Sequence, residues 1–276
     1  MEKAPSECIA CGGNERAPLI SLGDWKIERC KGCGLGMLDP RPTVEELEKL
    51  YESSYFDSHY GKGPDKGSPD FRRRISQEDH RIRFFSRLKK DGLILDMGCG
   101  MGYFLYACKE AGYRVKGFDI SNHASGYVTG ELGVPTSTGN VEDIDIEPES
   151  VDVVTMWHFL EHASEPELYL KTARRLLKPD GLLVVDVPNY EGTDARKFWS
   201  EWSGWSVPFH IYHYNAAALD MILVKNGFET VRSKNYHSEY IKRKLKGLPL
   251  LGLFARPIAK LYSGTSIAVV ARKVNS

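Results

Sequence analysis

Short apolar runs along the chain alternate with segments in which apolar residues recur every three or four positions. The runs predict strands that end at Asp96 and Asp119 and strands over 151–156, 182–187, 228–235 and 265–273. The helical spacing predicts helices over 71–90, 101–111, 168–177 and 216–225. Strands and helices that alternate in this way are typical of an α/β fold with a mostly parallel sheet.

Four cysteines stand in two pairs near the start of the chain, Cys8 and Cys11 and then Cys30 and Cys33. Each pair has the spacing C-x2-C, and 18 residues separate the pairs. Two such turns complete a tetrahedral set of four thiolates, which suits zinc. Four protein ligands leave no open position for a substrate, so the predicted ion is structural.

The zinc would hold a small ribbon over residues 1–40. Residues 18–29, between the cysteine pairs, predict two short strands around Gly23 and Asp24. A segment this short rarely folds on an apolar core alone, so we expect its folding to depend on the ion.

Residues 41–90 predict a helical linker and a lid. Thr43 and Glu46 have the spacing of a capping box, which predicts a short helix through Tyr51. Residues 55–70 are rich in Gly, Pro, Asp and Lys and predict a mobile loop that could serve as a lid. The next helix carries six arginines, which favour a solvated face over a phosphate-binding stripe.

A glycine-rich turn follows the strand that ends at Asp96. The sequence Asp-Met-Gly-Cys-Gly-Met-Gly places glycines at 98, 100 and 102, before a predicted helix. A nicotinamide fingerprint has the spacing Gly-x-Gly-x-x-Gly, and here the third glycine comes one residue early. Asp119 ends the second strand, where a carboxylate can accept both hydroxyls of a ribose.

These residues resemble the S-adenosylmethionine-dependent methyltransferases of the Rossmann-like class, whose motif is Asp/Glu-x-Gly-x-Gly-x-Gly. The resemblance extends over about residues 70–276 and implies a seven-stranded, mostly parallel sheet flanked by helices, with a cofactor-binding domain over 91–276. It implies S-adenosylmethionine as the cofactor, with Asp143 against the adenine amino group. The residues that it assigns to the cofactor are Asp96, Gly98, Gly100, Gly102, Asp119, Ile120, Asp143 and Trp157.

Two further segments resemble the ubiquinone-methyltransferase-like subgroup. One contains the pair Glu161-His162, and the other is Pro-x-His-x-x-His with His210 and His213. The ribbon and the Pro-x-Pro-Thr-x-Glu-Glu-Leu segment after it resemble the front end of many bacterial methyltransferases of glycan and natural-product pathways. The resemblance therefore implies a small-molecule, sugar or lipid-linked acceptor.

Methyl transfer to oxygen or nitrogen requires that the acceptor lose a proton, and histidine is the natural base near neutral pH. The candidates are His158, His162, His210 and His213. For His158 and His162 the alternatives are helix capping or packing, and metal binding, since in some relatives acids and a histidine here accompany a divalent metal. For His210 and His213 the alternative is hydrogen bonding to loop carbonyls. Oxygen is the first choice of acceptor atom, with carbon and nitrogen open. Tryptophans 199, 202 and 205 could line an acceptor pocket or cover the edge of the sheet.

The charge balance argues against a partner bound by bulk electrostatic attraction. The 276 residues include 37 Lys and Arg against 37 Asp and Glu, whereas nucleic-acid binding depends on excess positive charge. An RNA-modifying methyltransferase with an RNA-binding ribbon is therefore the second hypothesis, and the ribbon itself is not notably basic. A non-catalytic binding module is the third, and the intact glycine turn and Asp119 argue against it.

The sequence also predicts a location. No apolar stretch follows Met1, and no run reaches the roughly 18 to 20 apolar residues that span a bilayer. Six cysteines are too few for a disulfide scaffold, so we expect a cytoplasmic protein. Residues 240–262 join a basic cluster to an apolar run, which predicts either a crossover packed on the sheet or a peripheral membrane contact. The oligomeric state is left open.

Overall fold

The computed structural model describes residues 1–50, 64–248 and 251–274, so most of the predicted loop over 55–70 lies outside the described residues. The described strands are β1 (Arg16–Leu22), β2 (Trp25–Cys30), β3 (Gly36–Leu38), β4 (Leu93–Met97), β5 (Arg114–Phe118), β6 (Thr136–Ser137), β7 (Val151–Trp157), β8 (Leu177–Pro188), β9 (Tyr212–His213), β10 (Phe228–His237) and β11 (Ser263–Lys273). The described helices are α1 (Val44–Leu50), α2 (Pro69–Phe85), α3 (Tyr103–Glu110), α4 (Asn122–Gly130), α5 (Pro166–Leu176), α6 (Thr193–Phe198), α7 (Ala216–Lys225), α8 (Glu239–Lys246) and α9 (Ala255–Ala259).

Seven of these strands form one large sheet in the order β10-β11-β8-β7-β4-β5-β6. The strands from β8 to β6 are parallel, and β11 is antiparallel to both of its neighbours. Every residue of β7 is buried, as expected for a central parallel strand covered on both faces. The predicted seven-stranded, mostly parallel α/β sheet is confirmed.

The largest differences from the predicted boundaries, five residues each, are at the start of β8 and the end of α2. Strand β8 begins at Leu177, five residues before the predicted start, because Leu177 is buried and pairs with Val151. Pro179 and Asp180 are exposed but keep the extended conformation of β8. The register between β7 and β8 shifts at this point, between Val151 and Val153. Helix α2 ends at Phe85 instead of residue 90, and its start is set by Ser68, whose side chain accepts the Phe71 N–H at 3.1 Å.

The ribbon forms a second sheet in the order β1-β2-β3-β9. The two predicted strands around Gly23 and Asp24 are present as β1 and β2. The fourth strand, β9, comes from much later in the sequence, and in it His213 pairs with Gly36 and Tyr212 with Met37. A Cβ on Gly36 would lie 2.9 Å from His213 Cβ, so glycine is what permits this close pairing. The four-stranded sheet thus joins the ribbon to the large domain, which contributes β9.

Side chains reinforce this joint. Arg41, just after the ribbon, donates to the Tyr212 hydroxyl at 3.0 Å and to the Ser164 carbonyl at 3.2 Å. Lys225 of α7 donates to the Ile9 carbonyl at 2.9 Å. Apolar residues of the ribbon belong to the same core as the central strands of the large sheet. The capping box is also formed, with the Thr43 N–H donating to Glu46 at 2.9 Å, and it starts α1 beside the carboxyl edge of the large sheet.

The segment between β10 and β11 contains α8, a short turn over Leu251–Phe254 and α9. Within the described residues, no helix combines the length and the apolar character needed to cross a bilayer.

Candidate functional site

The glycine turn connects β4 to α3 at the carboxyl edge of the large sheet. The Gly98 N–H donates to the Phe118 carbonyl at 2.7 Å, which fastens the turn to the end of β5. The Gly100 N–H donates to Asp119 Oδ2 at 2.8 Å. Both glycines have positive φ, 76° and 49°, in a region that other residues adopt at a cost. The turn is therefore built against the carboxylate that ends the neighbouring strand.

Asp119 is buried but keeps hydrogen-bonding capacity. One carboxylate oxygen accepts the Gly100 N–H, and the other accepts the Ser121 N–H at 3.0 Å. Burial raises the pKa of Asp119, and these two backbone donors oppose the rise. Each oxygen retains a free lone pair, so the carboxylate can still accept the two hydroxyls of a ribose.

The three glycines of the motif have different surroundings. A Cβ on Gly100 would have no heavy atom within 4 Å, so the backbone there faces open space. A Cβ on Gly98 would overlap Phe159 Cδ2, and one on Gly102 would lie 2.7 Å from Val128 Cγ2. Gly100 thus offers its backbone to a ligand, whereas Gly98 and Gly102 allow close packing.

A single cleft opens beside this turn, between the carboxyl edge of the large sheet and helix α1. One wall, the cofactor wall, consists of Gly98, Gly100, Asp119, Ile120 and residues 139–142. The rest of the lining, which we call the histidine wall, consists of residues 158, 159 and 162–165 with Val44, Leu47, Leu168 and Tyr169. An exposed backbone, a buried carboxylate and an apolar lining suit a nucleoside with a charged tail. The cleft therefore fits the cofactor that the sequence resemblance implies.

Four of the predicted cofactor residues do not line this cleft: Asp96, Gly102, Asp143 and Trp157. Asp96 is buried and accepts the Thr155 hydroxyl at 2.5 Å, and burial raises its pKa to about 7. Trp157 packs against Phe104, with ring centroids 5.5 Å apart. Gly102 has φ 70° at the start of α3. Asp143 accepts a hydrogen bond from Asn140 at 3.3 Å, and Asn140, Val141 and Glu142 line the cleft in its place.

His158 follows β7 directly and lines the cleft. Its ring Nδ1 lies 3.3 Å from Glu161 Oε1, and its Nε2 lies 3.8 Å from Asp186 Oδ2. The side chain is 44% exposed, while both carboxylates are almost fully buried. Burial lowers the pKa of His158, but the hydrogen bond with Glu161 and the charge of Asp186 outweigh it and raise the pKa above the ordinary value. A φ of 52° turns this residue out of β7 and into the cleft.

The pKa values of the other three histidines are lowered, and two of the three lie outside the cleft lining. His162 lines the cleft, with Nδ1 3.0 Å from the Phe209 carbonyl, and burial lowers its pKa to about 3. His210 lies behind it, 4.5 Å between ring centroids, with its pKa also lowered by burial. His213 is buried in β9, and burial lowers its pKa to about 3. Neither His210 nor His213 lines the cleft.

The tryptophan segment lies away from this cleft. Trp205 is buried, and its ring contacts the rings of Trp199, Trp202, Tyr190 and His213. Through Trp205 the cluster packs against Tyr190 and against His213 of β9. Trp202 also lines a second cavity, together with Phe198, Tyr240 and Arg243.

A backbone connection links the histidine wall to the ribbon. The Glu161 carbonyl accepts the N–H groups of Ile211 and Tyr212, at 3.0 and 3.2 Å. Tyr212 in turn pairs with Met37 of the ribbon sheet. The segment that carries His158 and His162 is therefore held in place by β9, and β9 by the ribbon.

Among the residues that the structure describes, two groups of side chains have the composition of metal ligands. Glu161, His162 and His210 offer one ligand atom each within 4.8 Å of one another. Burial would raise the pKa of Glu161, but the His158 hydrogen bond and the nearby imidazoles lower it to about 2, so the carboxylate is ionised.

The other group is the set of four ribbon cysteines. Sγ of Cys8 lies 3.5 Å from that of Cys33, and the same distance separates Cys11 from Cys30. In a tetrahedral zinc site with bonds of about 2.3 Å, sulfur atoms are about 3.8 Å apart. Turns closed by the Gly12 and Gly34 N–H groups on the Cys8 and Cys30 carbonyls aim the thiols at one point. The donor set fits zinc.

Several cleft residues carry no sequence signal of their own. Phe159 and Tyr169 stack edge to face, 4.8 Å between centroids, and close the inner end of the cleft. Leu47 reaches it from α1, far away in the sequence. Only the apolar face of the short helix α1 could have suggested Leu47, and nothing local identifies its target.

Comparisons with known proteins agree with this arrangement. A probable S-adenosylmethionine-dependent methyltransferase from Mycolicibacterium smegmatis is 30% identical over 141 residues, 49% of this chain and 51% of that protein. A ubiquinone biosynthesis O-methyltransferase from Paraburkholderia phymatum is 37% identical over 105 residues, 35% of this chain and 44% of that protein. The chain thus spans about half the length of these curated relatives.

A solved structure of a SAM dependent methyltransferase from Archaeoglobus fulgidus has a TM-score of 0.57 at 20% identity, covering 79% of this chain and 98% of that one. It shows the same fold. A family model described as a methyltransferase domain matches residues 71–233, which is more than half of the sequence and includes the glycine turn and Glu161. The chain belongs to this methyltransferase domain family.

Proposed function

We propose that the protein transfers the methyl group of S-adenosylmethionine to an oxygen atom of a small-molecule, sugar or lipid-linked acceptor, with His158 as the general base. The observation that supports this most is the position of His158 in the same cleft as Gly100 and Asp119, between two buried carboxylates. The name of the Paraburkholderia relative, an O-methyltransferase, favours oxygen.

The cofactor wall would bind and orient the cofactor. Asp119 would accept the ribose hydroxyls, the Gly100 backbone would contact the tail, and Ile120 and Val141 would pack on the adenine. When bound, S-adenosylmethionine supplies a methyl group on a positively charged sulfur. Much of the rate acceleration then comes from alignment of the acceptor with that methyl group.

His158 would remove the proton from the acceptor hydroxyl. Because Glu161 is ionised and can only accept, Nδ1 of His158 carries the hydrogen between them. Nε2 is 3.8 Å from Asp186, beyond hydrogen-bond distance, and we propose that its lone pair receives the acceptor proton. The resulting imidazolium would then lie between the negative charges of Glu161 and Asp186, which stabilise it.

The test compares His158→Gln with His80→Gln, a matched change at an exposed position on α2 outside the cleft. With radiolabelled cofactor and a panel of phenols and sugars, we expect His158→Gln to lower the rate by about 10²–10⁴-fold. Cofactor binding measured by calorimetry should stay within about twofold. If the His158→Gln enzyme is as fast as the His80→Gln enzyme, His158 is not the general base. Absence of cofactor binding in the unchanged protein would remove the proposed activity altogether.

We also propose that Cys8, Cys11, Cys30 and Cys33 hold a structural Zn²⁺. The four thiols converge within 4.8 Å, and a closed thiolate set gives the ion no position for the acceptor.

A further inference from the structure

A surface between β10 and β11, remote in sequence from the cleft segments, is both apolar and basic. It consists of the described residues 239–248 and 251–262, and we call it the 239–262 surface. Helices α8 and α9 and the turn over Leu251–Phe254 pack on one another. The Ser238 N–H donates to the carbonyls of Ala259 and Tyr262, at 3.3 and 3.2 Å, and so joins the two ends.

Large apolar side chains on this surface are in contact with water. Leu253 is 86% exposed, Leu261 83% and Phe254 58%. Leu248, Leu251 and Tyr262 are each exposed by more than two fifths. Helix α9 buries Ala255 and Ala259 instead, so the small residues anchor the segment and the large ones point outward. Single exposed leucines are ordinary on proteins, but a cluster of this kind marks an interaction site.

The same surface carries a local excess of positive charge. Residues 239–262 contain six Lys and Arg and one acid, Glu239, in a chain whose total charge is zero. Lys242 pairs with Glu239 at 2.8 Å. The exposed basic residues that form no ion pair with a described acid are Arg243, Lys244, Lys246, Arg256 and Lys260.

We propose that the 239–262 surface binds anionic phospholipid membranes. The basic side chains would face the phosphate groups, and Leu253, Phe254 and Leu261 would enter the boundary between headgroups and acyl chains. Basic residues beside protruding apolar ones are the combination that binds an anionic interface, because each contribution alone is weak. This proposal does not depend on the methyl transfer proposed above.

The charge pattern favours a lipid over the other candidate occupants. In a symmetric contact between two copies of this chain the surface would meet itself, and the five unpaired cations of each copy would repel those of the other. A nucleic acid would neutralise the cations but leave Leu253 and Leu261 in water. A lipid interface accommodates both kinds of side chain.

Vesicle flotation tests the apolar contribution. The full chain is mixed with vesicles of phosphatidylcholine and phosphatidylglycerol, or of phosphatidylcholine alone. We expect flotation with the anionic vesicles only. The double change Leu253→Asp and Leu261→Asp should lower the bound-to-free ratio by about tenfold or more. The control is Val224→Asp, another exposed apolar residue (59%) on α7, which should float like the unchanged protein.

The charge contribution is tested with Lys244→Glu and Lys246→Glu together and with 0.5 M salt, both of which should reduce flotation. The proposal is overturned if the unchanged protein does not float, or if the leucine changes affect flotation no more than Val224→Asp. It is also overturned if sedimentation shows a dimer that the leucine changes dissociate, since the surface would then be an interface between copies.

Discussion

The two walls of the cleft are built in different ways. The cofactor wall comes from short, adjacent pieces of sequence: the glycine turn, Asp119 nineteen residues after Gly100, and the segment at 139–142. The histidine wall depends on contacts between distant residues, because the Glu161 carbonyl is held by β9 and β9 by the ribbon. If the walls have the roles proposed above, we expect that cofactor binding and acceptor activation can be lost separately.

Loss of zinc should produce the largest difference between the two walls, because it should impair the histidine wall and leave the cofactor wall almost unchanged. Changing both Cys8 and Cys33 to Ser leaves two of four ligands, and a structural zinc contributes on the order of 10 kcal/mol to the folding of isolated zinc-finger peptides. We expect loss of the metal, a thermal transition lowered by many degrees, and loss of methyl transfer with the cofactor affinity within a few fold. Metal analysis, calorimetric melting and cofactor titration measure these quantities.

The control for that experiment is Cys108→Ala, which removes a buried thiol outside the ribbon. It should keep one zinc per chain and cost only a few kcal/mol at most. If the double Ser variant keeps full methyl transfer, the ribbon does not support the histidine wall and the comparison drawn above is wrong.

Asp119→Asn should affect the other wall. The change removes a charge but keeps the shape, so the bonds to the Gly100 and Ser121 N–H groups are weakened and the ribose loses a charged acceptor. Hydrogen bonds to charged groups are worth about 1.5–3 kcal/mol, which predicts a cofactor Kd raised by about 10- to 150-fold. Calorimetric titration measures it, and zinc content should be unchanged. A Kd equal to that of the unchanged protein would contradict the assignment of Asp119 to the ribose.

The pH dependence tests the partner of His158. The base is active when neutral, so activity should rise as pH rises through the raised pKa of His158. Glu161→Gln removes the carboxylate that raises this pKa, and the rising limb should therefore move to lower pH while the plateau rate falls. Glu110→Gln, at an exposed position on α3, is the control. If the rising limb of the pH–activity profile does not move in Glu161→Gln, the group that titrates is not His158.

The smallest expected effect compares two neighbours near the adenine. Asn140 lines the cleft, and Asp143 does not, so Asn140→Ala should weaken cofactor binding by about three- to tenfold. Asp143→Ala should change it by less, since it removes only an exposed bond to Asn140. The opposite order of affinities would favour the assignment made from the sequence.

The sequence predicts the features that depend on local patterns better than those that depend on contacts between distant residues. The cysteine spacing, the glycine turn and the apolar runs are local patterns, and each predicts its element well. Strand β9 has only two residues and pairs across 176 positions from His213 to Gly36, so no periodicity could identify it. The positive φ that turns His158 into the cleft, and the turn that directs Asp143 away from it, are set by tertiary packing. Residues on one short segment therefore have different roles that composition cannot distinguish.

Strand β9 also has a consequence for the order in which the chain folds. The ribbon is synthesised before β9, and its cysteines can take up zinc early, yet its sheet stays one strand short until Tyr212 and His213 have been made. Until then the open edge of β3 is an unpaired strand edge, which other chains can occupy. Expression of a fragment that ends before residue 212 should thus give a zinc-loaded ribbon that self-associates, while the full chain closes that edge with its own β9.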